Sequence, residues 1–185
     1  MPDRMRLFHF SDDPSIEVFE PRPVRVPSPR EPGREWLNGP LVWAIDDWHQ
    51  PLYLFPRDCP RILIWPGPQT TPRDRAYWWG DRSARMVAHV EAAWWDRLSA
   101  ARLYRYELPR AAFEPLNDAG MFVARESVEP LAMDVIESLP SSLRACQVEL
   151  EIVPSLLPLR DVWKSSMSAS GIRLRNAQDW PQDRR

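Results

Sequence analysis

Proline limits this chain more than any other residue. There are 21 prolines against 6 glycines in 185 residues. Each proline fixes φ and removes a main-chain donor, so it interrupts helices and the interiors of sheets. The prolines fall between apolar runs. Pro40 opens the run ending at Ile45, Pro60 and Pro66 fence Arg61-Ile-Leu-Ile-Trp65, and Pro109 closes the run from Arg102 to Leu108. Short apolar segments bounded in this way read as strands, joined by stiff loops.

About seven strands are expected, at residues 5–10, 40–45, 61–65, 102–108, 120–124, 147–153 and 171–175. In residues 147–153 the alternation is clean: Val148, Leu150 and Ile152 read as inward, Glu149 and Glu151 as outward. The best helix is expected over residues 83–100, where Met86, Val90, Ala93, Trp94 and Leu98 recur at helical spacing. Shorter helices are expected after Asp46-Asp47 as far as Phe55, over 133–139 with a further turn to Ala145, and around 157–165. Residues 67–75 read as a loop, and 113–115 as a turn. A doubly wound parallel sheet would need a crossover helix after almost every strand. The expected fold is therefore α+β, with two packed, mainly antiparallel sheets.

The length suits one domain over residues 1–185. Residues 21–39 read as an extended surface loop and 179–185 as a frayed tail. No apolar run approaches the length of a membrane span, and no charged segment followed by an apolar one opens the chain, which points to the cytoplasm. The net charge of −2 and a pI of about 6.0 give no general attraction to nucleic acid or anionic membrane. Arginine alternates with aromatics in Arg102-Leu-Tyr-Arg-Tyr106, but the overall charge opposes a nucleic-acid reading. All but one of the 24 basic residues are arginine, the exception being Lys164. That bias suits either bidentate anion recognition or a codon preference. The 10 tryptophans, with pairs at Trp78-Trp79 and Trp94-Trp95, can line a ligand cleft or supply core area.

Cys59 and Cys146 define no disulfide framework, and His9, His49 and His89 share no metal-ligand spacing, so no metal site is expected. Arginines flank Cys59 and would lower its pKa, whereas burial would make it a small hydrophobe. No glycine-rich phosphate loop, nucleophile elbow or zinc-protease motif is present.

Three dispersed constellations remain. On the first strand His9 and Ser11 share a face by period 2 and can together hold a ribose or phosphate oxygen. The alternative is a histidine bonded to a loop backbone. Next, Val42-Trp-Ala-Ile-Asp46 delivers the chain into Pro51-Leu-Tyr-Leu-Phe55, where Tyr53 can stack a planar ring or, with Trp43, belong to the core. Last, Arg125, Glu126 and Glu129 cluster where a strand ends. A carboxylate there can stabilise an oxocarbenium-like centre, or the segment is a solvated turn.

In this order the three constellations resemble ADP-ribosyltransferase-like domains. The resemblance implies a small two-sheet α+β fold, with His9 and Ser11 at the NAD ribose, Tyr53 on nicotinamide, and Glu126 or Glu129 driving transfer. Trp43, Arg57 and Arg125 are further candidates for substrate binding. NAD would be a substrate, and no further cofactor is required. Glu126 matches the last motif poorly, since the Glu-x-Glu pattern occurs instead at Glu149-Leu-Glu151, inside an expected strand. Phrases such as Leu54-Phe-Pro-Arg-Asp-Cys-Pro-Arg61 and Ile172-Arg-Leu-Arg-Asn-Ala177 also resemble a family of small uncharacterised bacterial proteins, which implies no activity. Two functions stand side by side. One is a nucleotide or NAD/ADP-ribose cleft with ADP-ribosyl or related transfer. The other is a non-enzymatic module that binds a protein through a tryptophan-rich surface.

Overall fold

The computed structural model describes residues 5–181. Ten strands run in chain order: β1 Leu7–Ser11, β2 Val42–Asp46, β3 Arg61–Trp65, β4 Met86–Glu91, β5 Leu103–Leu108, β6 Glu114–Pro115, β7 Met121–Ala124, β8 Ala132–Ile136, β9 Val148–Val153 and β10 Ser168–Ile172. Three short α-helices, α1 Pro72–Trp78, α2 Trp95–Ala100 and α3 Leu139–Ala145, accompany several 3-10 turns. The protein is α+β with two mostly antiparallel sheets. The described residues group into two compact units, 5–50 with Leu103–Val135, and Pro51–Arg102 with 136–181.

The first unit is built on a six-stranded sheet ordered β6-β7-β2-β1-β5-β8. β1 lies inside it, antiparallel to both β2 and β5, with Leu7 opposite Asp46 and Leu108. One face buries Leu7, Val42, Ala44, Tyr106, Leu108 and Phe122 beneath Phe19, Phe113 and Val128. The other face carries Val123 against Leu37 and Leu41. Residues 21–39 are thus tied down at both ends. Leu37 enters that core, Asn38 bonds Ser28, and Arg22 bridges to Leu41.

The second unit is built on a four-stranded sheet ordered β10-β3-β4-β9. Only β4 and β9 pair in parallel there, with His89 beside Glu151. Every residue of β3 and β4 is buried. Leu139 and Leu143 on α3 and Leu98 on α2 add to the core.

Six expectations are corrected. The turn expected at 113–115 holds the short strand β6, and the strand expected over 171–175 lies earlier, as β10 ending at Ile172, with a 3-10 turn from Leu174. Residues 86–91 are the central strand β4, so the helix expected over 83–100 shrinks to α2 at its end. A strand covered on both faces keeps no period-2 signal, and its apolar residues then fit a helical stripe by chance. Residues 132–136 are the edge strand β8; the helix begins later, at Leu139, capped by Ser138 with Pro140 in its first turn. Residues 72–78 are a helix rather than loop, started by the Thr71 hydroxyl accepting from Asp74 N and by Pro72. The helix expected after Asp46-Asp47 is a turn followed by a 3-10 segment, Gln50–Tyr53. In β9 the alternation weakens at its end, where Ile152 is exposed and Glu151 is half-buried. Residues 182–185 of the expected tail lie outside the described residues.

Candidate functional site

His9 and Ser11 occupy the core-side face of β1, as their spacing requires. The ring Nδ1–H of His9 donates to the main-chain carbonyl of Trp43 at 2.8 Å. A carbonyl can only accept, so that bond places a proton on Nδ1. Phe19 packs on the imidazole with ring centroids 4.8 Å apart, and Phe19 meets Tyr106 edge-on at 5.2 Å.

Ser11 is buried, and its hydroxyl accepts from the Asp13 N–H at 3.1 Å. Asp13 in turn caps Ser15 through both its N–H and its hydroxyl. Those bonds hold the Asp13 carboxyl below its ordinary value. The Tyr106 hydroxyl donates to Asp13 O at 2.7 Å and accepts from Ile16 N at 3.2 Å. Residues 11–19 are therefore strapped across the sheet face at both ends. Ser11 serves the strap rather than presenting a hydroxyl outward.

Phe19 joins this face to the strand-end carboxylates. Its main chain pairs with Val128 through two bonds of 2.8 and 3.0 Å. Glu126 and Glu129 flank Val128 and are exposed, and the Ser127 hydroxyl donates to Glu20. Arg125 donates to Glu114 at 2.9 Å and lies 4.5 Å over the Trp36 ring. His9, Ser11, Arg125, Glu126 and Glu129 thus belong to one unit, with Phe19 as the junction.

The remaining expected residues stand elsewhere. Trp43 pairs with Val123, and its side chain lies on the opposite face from His9, near Leu37 and Leu41. Only its carbonyl reaches the imidazole. Tyr53 and Arg57 are in the second unit. There the guanidinium of Arg61 lies 5.7 Å over Tyr53 and 5.1 Å over Phe55. Arg61 is buried and donates to Leu52 O at 3.0 and 2.8 Å and to Cys59 O at 3.0 Å. Burial lowers its pKa to about 10. It clips residues 52–59, including Tyr53, to the edge of β3. Arg57 is exposed, and its carbonyl accepts from Arg173. Cys59 is no reactive thiol, because burial outweighs the neighbouring Arg61 and raises its pKa to about 12.

Two charged clusters were missed. In the first unit Asp46 accepts from His49 N at 2.7 Å and from its Nδ1–H at 2.9 Å. Burial alone would raise the Asp46 carboxyl, but the His49 bonds more than offset it and the group sits below its ordinary value. Gly120 closes over this pair at φ +71°, where a Cβ would collide with His49 Nδ1 and come within 2.6 Å of both Asp46 oxygens. The Asp-x-x-His spacing was visible, but nothing local shows that a loop 71 residues later, by position 120, covers it. In the second unit Arg82 bridges Glu149 and Glu151, and Glu151 also meets Nε2 of the buried His89 at 3.3 Å. The Glu-x-Glu pair therefore holds a local arginine and a histidine. Among the described residues, no group of three His, Cys, Asp or Glu side chains is placed to hold a metal ion. No helix of the described residues is long and apolar enough to cross a membrane.

An α+β protein with a strapped histidine face on one mostly antiparallel sheet is the class that these features define. The chain belongs to a family of unknown function, DUF6886, whose family model matches residues 8–177. No curated protein and no solved structure matches it.

Proposed function

We propose that the His9 face of the first unit binds the ribose of a nucleotide such as NAD or ADP-ribose, in an ADP-ribosyltransferase-like manner. One observation supports this reading: the Trp43 carbonyl accepts from His9 Nδ1 while Phe19 packs on the ring, so the imidazole is held in one orientation on the sheet face, as a ribose-binding histidine requires. Glu126 or Glu129, which adjoin Val128 in the chain, would supply negative charge for a developing ribosyl cation. In the transfer, the bond from ribose C1′ to nicotinamide breaks and its electron pair leaves with nicotinamide. An acceptor hydroxyl or water supplies the pair of the new bond and releases its proton to solvent.

Calorimetric titration with NAD, ADP-ribose and nucleoside monophosphates tests the reading. Binding that His9→Ala abolishes, in a variant that stays folded, supports it. Silence with all three at millimolar ligand overturns it. The protein-binding reading rests on the exposure of Trp36, Trp48, Trp95 and Trp163, and it predicts that silence.

A further inference from the structure

The second unit carries a cleft that the His9 reading does not use. Glu91, the last residue of β4, is 3% exposed. Its carboxylate accepts from Leu156 N at 3.1 Å and from Gln178 N at 3.1 and 3.0 Å. One buried acid thus fixes both the start of the 3-10 segment Leu157–Lys164 and the chain leading to Trp180. Both segments line a cleft of about 490 Å³, made by Arg160, Asp161, Trp163, Lys164, Leu174 and Trp180.

In a 3-10 helix residues three apart eclipse, with a rise of about 2 Å per residue. Arg160 and Trp163 therefore share one row, about 6 Å apart along the axis, and Asp161 and Lys164 share the next. Val162 points inward and is buried. Trp163 rests on an edge of its ring: a Cβ at Gly171 would come within 2.8 and 2.9 Å of its Cζ2 and Cη2, and within 2.5 Å of Leu174 Cδ1. Trp180 meets Trp163 at a centroid distance of 6.4 Å, with the rings 77° apart. The two indoles form a corner rather than a slot. Lys164 pairs with Asp161 at 2.6 Å, and that bond, with Arg160 nearby, holds the Asp161 carboxyl below its ordinary value. Arg160 is exposed and forms no ion pair among the described residues. The lining therefore holds one uncompensated positive charge beside two aromatic walls.

A flat ring satisfies the indoles, and a single carboxylate matches the guanidinium fork. A dianionic phosphate would lack a second free cation and would face the Asp161 carboxylate. We propose that this cleft binds a planar aromatic monocarboxylate, its ring in the tryptophan corner and its carboxylate on Arg160.

Indole-3-acetate is the probe, read in the full chain by nitrogen–proton correlation spectra of the tryptophan side chains. Trp163→Phe and Trp180→Phe identify the two Nε1–H signals. Both signals should shift saturably, with a dissociation constant on the order of 1 mM for so small a ligand in an open cleft. Arg160→Gln should weaken binding about fivefold. Its side chain is exposed, and an otherwise unchanged spectrum shows that the variant folds. Indole-3-acetamide keeps the ring without the charge, and cyclohexylacetate keeps the charge without the flat ring. Each should bind at least about fivefold more weakly. No shift of either signal up to about 10 mM ligand overturns the site. Binding indifferent to Arg160→Gln, or equal for the three ligands, overturns the aromatic carboxylate. AMP moving the same signals at lower concentration than indole-3-acetate overturns it too, and assigns the cleft to a nucleotide.

Discussion

The Nδ1–H of His9 donates to the carbonyl of Trp43 at 2.8 Å, although the two side chains lie on opposite faces of the sheet. Trp43 therefore acts on His9 through its main chain, which substitution of its side chain leaves in place. His9→Ala removes a partly buried hydrogen bond and costs about 1 kcal/mol. Trp43→Phe leaves the tautomer unchanged. Nitrogen-15 shifts of the His9 ring check this: an Nδ1 without its proton in the wild type would refute the arrangement.

Gly120→Ala places a methyl group against His49 and Asp46 and forces alanine into the left-handed region. The expected loss is about 2–4 kcal/mol by urea unfolding. Adding His49→Ala relieves the collision, so the double variant is less destabilised than the sum of the two singles. Simple additivity would show that the glycine matters for its backbone alone.

Arg61 is a buried cation whose bonds go to main-chain carbonyls. Arg61→Ala leaves Leu52 and Cys59 carbonyls unpaired and costs about 3 kcal/mol or more. Arg61→Lys recovers only part of this, because an ammonium cannot reproduce the fork on Leu52. Denaturant midpoints that match the wild type would rule out the clip.

Burial lowers the pKa of His89 below its ordinary 6.5, with Glu151 and the Ile62 carbonyl pulling the other way. The unfolded chain then binds a proton at a higher pH than the folded one does. Stability is fully present above about pH 6.5 and falls as pH drops from there toward the folded value. Thermal melts between pH 7.5 and 5, at about half-unit steps, should show this slope, and His89→Gln should flatten it. A slope unchanged in His89→Gln assigns it to other groups.

Much of the sheet architecture was legible where strands were short and proline-bounded. β3 occupies 61–65 as expected, and β1, β2, β5, β7 and β9 lie within a residue or two of their apolar runs. The pairing of His9 with Ser11 was legible for the same reason, since period 2 is a local property of the backbone. β8 was illegible because residues 132–136 carry no strong local preference and become a strand only by pairing with β5.

By itself the sequence determined where most short strands are bounded and which apolar runs had to be covered, because proline geometry and hydrophobic spacing act over a few residues. The tertiary structure decided what each covered run became. Met86–Glu91 is a strand because β3 and β9 satisfy its main chain on both sides. The tertiary structure also decided the chemistry of the polar groups. Ser11 became a strap, Arg61 a clip, and Glu151 the partner of His89 and Arg82. Charge, burial and hydrogen bonding depend on neighbours brought from distant positions, and no local spacing encodes them.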